Sequence, residues 1–224
     1  IGLVEWENTF GGSYWQSVDQ TIGGDFIISG QDINGFNGYY SILLINNNGE
    51  VLWNESFSVV ACSGYSTIQQ SSNGGYIFMG RSSCAPFNAL GEDITILTKL
   101  YVSGDVEWLQ YEDNMGGNFP YGRVYSLQLT NDGGYVIVGT GTSNTGIFLL
   151  KLDDSGEEQW IQTFENNVPN GHGYCVQQTI DGGYIICGRD ENDNLVLIKT
   201  TEFGNITSTI EYPAINKNLI TTID

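Results

Sequence analysis

The sequence predicts an all-β chain made of four repeats of about 50 residues, and three observations predict it. Gly-x-x-x-Trp recurs as Gly2 to Trp6, Gly49 to Trp53, Gly104 to Trp108 and Gly156 to Trp160, while Gly204 to Ser208 keeps the phase without the Trp. A second motif lies between these anchors: Thr21 to Gly30, Ser71 to Gly80, Thr130 to Gly139 and Thr179 to Gly188, each with a Gly-Gly pair followed by an apolar run. No stretch carries a 3.6-residue apolar period long enough for a helix, and the short apolar runs are bounded by Gly, Asn, Asp and Ser.

The strands of the first unit are expected near 14–21, 25–30, 39–45 and 50–57, with counterparts in the other units. Four strands in such a repeat make one propeller blade, so the expected fold is a four-bladed β-propeller. Blades bury both faces against neighbours, which accounts for unbroken apolar runs such as Ile94 to Leu97 and Leu195 to Ile198. A Trp at one phase per blade suits packing between blades. The loop Ile180-Asp181-Gly182 suits a type I turn closed by a glycine at positive φ, with Asp181, or Asn73 in the second unit, bonding its own backbone. No helix follows these glycines, so a phosphate-cradling loop is not expected.

Seven Lys and Arg stand against 26 Asp and Glu, a net charge of -19, which argues against nucleic acid and anionic lipid as partners. Thirty glycines with four prolines and no Gly-X-Y period exclude a collagen-like chain. No apolar run is long enough to insert in a membrane. The chain opens on Ile1 and reads as a processed or trimmed product.

The cysteines test the hairpin register. With Asp181 at the centre, paired residues sum to 362, as Cys175 and Cys187 do; with Asn73 at the centre they sum to 146, as Cys62 and Cys84 do. Two disulfides, Cys62–Cys84 and Cys175–Cys187, are expected, with buried free thiols as the alternative and an extracellular or periplasmic setting as the consequence.

The stretches Trp6 to Gly12, Gln177 to Gly188 and Leu149 to Gly156 resemble the units of secreted and cell-surface bacterial β-propeller repeat proteins, a likeness running from residue 2 to about 208. Gly-x-x-x-Trp is also similar to the tryptophan-docking motif of quinoprotein propellers. The first unit departs from the pattern, with Gly23-Gly24-Asp25-Phe26 and no Lys before Gly49. The tail from Ser208 looks like a shortened type IX secretion signal. The resemblance implies a propeller fold and an extracellular or cell-surface location, and no particular activity.

Little catalytic chemistry is legible, and no enzyme is expected. His172, the single histidine, sits among glycines in Pro169 to Gly173. Lys99, Lys151, Lys199, Arg81 and Arg189 stand at repeat-fixed places and should pair with acids, leaving Arg123 and Lys217 outside the pattern. No cofactor is expected. Calcium candidates are Asp32 with Asn34, and Asp190 with Asn192 and Asp193, oxygen-rich but without the full spacing of a calcium loop; Asp153-Asp154 with Glu157-Glu158 brackets a turn. Asn54 and Asn205 open glycosylation sequons. Tyr14 with Trp15, and Tyr39 with Tyr40, together with Phe87, Phe119 and Tyr121, fall in loops or insertions where ligand or partner contacts concentrate.

Counting strands gives five Trp-type segments, at 2–10, 50–57, 105–112, 157–164 and 205–211, for four blades. The expectation is that the N-terminal strand closes the ring, residues 1–204 form the propeller, and 205–224 are released as an extension. Its Ile206, Ile210, Ile215, Leu219, Ile220 and Ile223 would then pair with a neighbouring copy, giving a structural, self-assembling extracellular subunit or filament. The competing reading is a monomeric glycan- or protein-binding module, and an enzyme of unassigned reaction comes after that.

Overall fold

The structure, a computed structural model, describes residues 5–11, 14–34, 37–57, 65–82, 94–111, 122–141 and 146–212. These contain sixteen strands and no helix. The first sheet comprises β1 (Tyr14–Gln20), β2 (Phe26–Asn34), β3 (Asn37–Ile45) and β4 (Val51–Phe57). The second holds β5 (Ser66–Gln70), β6 (Tyr76–Ser82), β7 (Ile94–Leu100) and β8 (Val106–Tyr111). The third is β9 (Gly122–Leu129), β10 (Tyr135–Gly141), β11 (Ile147–Leu152) and β12 (Glu158–Thr163), and the fourth β13 (His172–Gln178), β14 (Tyr184–Arg189), β15 (Leu195–Thr200) and β16 (Ile206–Tyr212). Each sheet is a four-stranded antiparallel meander in chain order, the blade expected from the repeat. The chain divides into two compact units, 1–119 and 120–224, each holding two blades.

Within each unit the facing blades share a core. In the first, Ile27, Tyr40 and Ile42 pack with Ile68, Phe78 and Ile96; in the second, Val136, Val138 and Leu149 pack with Val176, Ile186 and Ile198. Among the middle strands β11 is buried throughout, whereas β14 and β15 alternate between buried and partly exposed positions.

The Gly-Gly pair has two separate causes. Gly74, Gly133 and Gly182 have φ between 82° and 87°, where a side chain is strained. The glycine that follows lies under the end of the third strand: a Cβ on Gly75, Gly134 or Gly183 would stand 2.2, 2.3 or 2.1 Å from the carbonyl oxygen of Leu100, Leu152 or Thr200. The lysine head crosses there too. Lys151 Nζ donates to Leu152 O and Asp132, and Lys199 Nζ to Thr200 O and Asp181. The first blade lacks both halves of this device. It keeps Gly24 at φ 90°, has Asp25 at the second-glycine position, and carries Leu44 opposite Ile27 where the other blades carry the lysine.

The strand count resolves differently from the expectation. Residues 206–212 are not released: they form β16, which pairs with β15 from Thr200↔Ile206 to Leu195↔Tyr212, so Ile206 and Ile210 belong to the fourth blade. The N-terminal strand therefore does not supply that blade's outer edge. Residues 5–11 form no strand. Their Trp6 nonetheless docks on the first blade, donating to Asn47 O at 2.9 Å, with its ring against Gly49 and 6.3 Å from that of Phe26. Trp53 repeats this with Gly104 and Tyr76, and Trp160 with Gly204 and Tyr184. The surplus Trp segment is thus the N-terminal one, and Ser208 marks the blade whose outer strand has no tryptophan. Ile215, Leu219, Ile220 and Ile223 lie outside the described residues.

Candidate functional site

The register of β13 and β14 places Cys175 opposite Cys187, as the hairpin arithmetic requires, with both thiols unbonded in this structure. Cys62 and Cys84 lie outside the described residues, as do Phe87, Phe119, Tyr121 and Lys217. The predicted turn is present: Thr179 N donates to Gly183 O, Gly182 N to Thr179 O, and Gly183 N to Asp181 Oδ1.

The backbones of Asp32 and Asn34 lie in β2, paired with Tyr39 and Asn37 of β3. Asp190 is a turn cap: Oδ1 accepts from the backbone N–H groups of Asn192 and Asn194, and Oδ2 from Asn194 Nδ2. Asp193 pairs with Arg189. Asp153 is spent in the same way on Ser155 and Glu157.

The aromatic candidates separate. Tyr40 is fully buried in the first core, its hydroxyl donating to Arg81 O and its ring 5.1 Å from Phe78; it sits on β3, where alternation turns it inward, so it is no contact residue. Tyr39, the next position, is exposed. Tyr14 and Trp15 begin β1 and are not in a loop. Trp15 donates to Phe10 O and lines a cavity of about 470 Å³ with Phe10, Asn54 and Glu55. The sequon residues Asn54 and Asn205 are both exposed.

Another site rests on a departure from the repeat. At one end of the second unit lie the β9–β10 and β13–β14 hairpins and the β15–β16 turn. Between them is a cavity of about 370 Å³ whose apolar wall is Trp160 and Tyr184, ring centroids 5.8 Å apart at 62°. Phe203 forms its rim and is 61 % exposed; it also borders an adjoining cavity of about 330 Å³. Phe203 occupies a turn position held by Asn48, Ser103 and Ser155 in the other blades, so the turn itself does not require it. Exposed Gln159 and Glu202 offer hydrogen-bonding groups beside it. Asp132 is already held by Thr130, Lys151 and Gly134: burial works against its ionisation, yet these bonds outweigh it and keep the carboxyl below the usual range. Tyr184 is pushed up to about 12 by burial and then by Asp132 and Glu202, so it stays a neutral hydroxyl. An exposed aromatic face such as that of Phe203 can stack on the C–H face of a polyhydroxylated ring while neighbouring amide and carboxylate groups bond its hydroxyls.

These sheets define a β-propeller-type repeat fold with four blades. No protein-family model and no curated protein matches the chain. Among solved structures it is similar to BP39L lectin from Burkholderia pseudomallei, with TM-score 0.57, 9 % identity and coverage of 91 % of this chain and 58 % of that one. It is also similar to exo-β-1,3-galactanase from Phanerochaete chrysosporium, with TM-score 0.54, 10 % identity and coverage of 89 % and 49 %. A protein of unknown function from Bacteroides caccae follows at TM-score 0.52, 13 % identity and coverage of 92 % and 64 %. The chain spans about half to two thirds of the length of these structures.

Proposed function

We propose that this chain is an extracellular, non-catalytic carbohydrate-binding module that takes a sugar ring against Phe203 and Trp160 in the second unit. The observation that carries the reading is Phe203, a large apolar side chain in solvent at a turn position where its three counterparts are polar, on the rim of an aromatic-walled cavity. The lectin and galactanase among the similar folds support the choice of ligand class. The commitment of Asp132 to its own hairpin supports binding over turnover. A glycan array followed by calorimetric titration tests it: stoichiometric binding of a neutral oligosaccharide without product release is expected, and Phe203→Ala should weaken it by about tenfold or more. Binding unchanged by that substitution overturns the assignment. The self-assembling subunit is the second reading; with Ile206 and Ile210 inside β16 it rests on residues 213–224, and light scattering of the purified chain reads it directly.

A further inference from the structure

The opposite end of the same two blades carries a different chemistry. In β9 the register runs Val124↔Gly139 and then Ser126↔Val138, so Tyr125 is the extra residue of a bulge. In β13 it runs Gly173↔Gly188 and then Cys175↔Cys187, so Tyr174 is the extra residue there. A bulge re-aims the side chain of its extra residue. Both bulged residues are tyrosines, and their rings meet edge to face at 5.2 Å and 81°. His172 stacks on Tyr174 at 6.2 Å and 11°, and its Nδ1 lies 3.2 Å from Thr140 Oγ1, which joins the third blade to the fourth. Tyr174 remains 40 % exposed.

Two cations stand beside this aromatic array. Arg123 is the register partner of Thr140, and Arg189 that of His172. Arg123 is exposed, and Arg189 is ion-paired with Asp193 while its buried Nε has no hydrogen-bond partner. Burial lowers the pKa of His172, and the charges of Arg189 and then Arg123 lower it further, so the imidazole is held neutral between them. The adjoining loops are set in uncommon geometry. Asn170 and Asp193, at φ 54° and 63°, are the two non-glycine residues with positive φ among the described residues, and Asn170 Nδ2 donates to Glu191 Oε2 at 3.0 Å, which ties the loop before β13 to the β14–β15 turn.

We infer that this end of the third and fourth blades is a second binding site, for a sugar ring that bears a carboxylate: the ring stacks on Tyr174 beside His172, and the carboxylate meets Arg123 and Arg189. Guanidinium pairs with carboxylate in a planar fork, and an exposed tyrosine face takes the apolar side of a pyranose. Either contact alone is weak in water, so the site selects ligands having both. The site is independent of the cavity at Phe203.

The test is a titration of the intact chain, followed by the backbone amide signals of 122–126 and 172–175, with galacturonate, galactose and acetate. Saturable shifts with galacturonate, and affinities at least about tenfold lower for galactose and for acetate, are expected. Arg123→Gln, an exposed substitution, should remove the preference for galacturonate over galactose, Tyr174→Ala should remove the response to both sugars, and Phe203→Ala should leave all of it unchanged. Acetate binding as well as galacturonate, galactose binding as well as galacturonate, or an unaltered preference in Arg123→Gln would each overturn the inference. Loss of neutral-oligosaccharide binding in Phe203→Ala bears only on the first site.

Discussion

Trp160 lies over Gly204 so closely that a Cβ there would stand 2.7 Å from the indole Cζ3, and the same indole meets Tyr184 edge on. The glycine of one blade's outer turn is therefore the floor on which the preceding blade's tryptophan rests. Two requirements fall on Gly204 at once, since its φ of 77° alone disfavours a side chain.

Substitution separates the two requirements. Gly204→Ala should lose about 1–3 kcal/mol more than the strain of φ alone, because the Gln162 side chain, 2.6 Å from that Cβ, and the indole both have to move. Gly182→Ala is the reference: it has φ 82° but meets nothing nearer than 3.9 Å, and should cost about 1 kcal/mol. Urea midpoints of the two variants measure the difference. Equal losses would mean that Trp160 does not need its glycine floor.

Acid should weaken the lysine-crossed hairpins. The Thr179 hydroxyl, Lys199 and the Gly183 N–H hold Asp181 down to about 2, and Asp132 is lowered by the corresponding groups. A carboxyl depressed in the folded chain contributes stability that is complete above its unfolded value, about 4, and is lost as pH falls through the folded value. Stability should decline from about pH 4 toward about pH 2, and Asp181→Asn should flatten that decline. Circular dichroism at fixed urea across this window reads both.

At the alkaline end the sign reverses. Tyr184 is raised to about 12, so its contribution is complete below the ordinary tyrosine value of about 10 and fades as pH climbs between the two. Tyr184→Phe should lose less of its urea midpoint through that range than the parent protein does, the remaining loss coming from Tyr40 and Tyr76, which burial also raises.

Cys175 and Cys187 face each other across β13 and β14, on the more exposed side of that hairpin. Chain recovered from an oxidising compartment should carry them as a disulfide, read as a peptide pair in non-reducing mass spectrometry that separates on reduction. Free alkylation of both thiols in such material would count against the disulfide. Burial pushes the Cys187 thiol up, and the neighbouring Cys175 adds to that, so alkylation at neutral pH should be slow at Cys187.

Much of the fold was legible because it is local. Hairpin turns are set by Asp, Asn and Gly at fixed offsets, and once a turn is placed its register follows by counting, which is why Cys175 and Cys187 were found opposite one another. Counting along a strand fails at a bulge. The bulges at Tyr125 and Tyr174 change the pairing sum by one, and no turn residue announces them. The binding-site reading was legible in the same uneven way. Tyr40 and Trp15 stood out by composition, yet Phe203 carries the stronger signal, detectable only by comparing the equivalent turn across all four blades.

By itself the sequence determined the repeat, the four-stranded unit, the glycine turns and the positions of the lysines, since each follows from contacts within a few residues or one hairpin. The tertiary structure decided which copy of a repeated element is the surplus one. Strand 206–212 and segment 5–11 are equivalent in phase, and only pairing energy distinguishes them: β16 lies one short turn from β15 and joins it at little loss of chain entropy, whereas the N-terminal segment serves through Trp6, packed on Gly49. It decided also that Tyr125, Tyr174 and His172 come together, because the bulges and the packing of two blades lie beyond the reach of any local pattern.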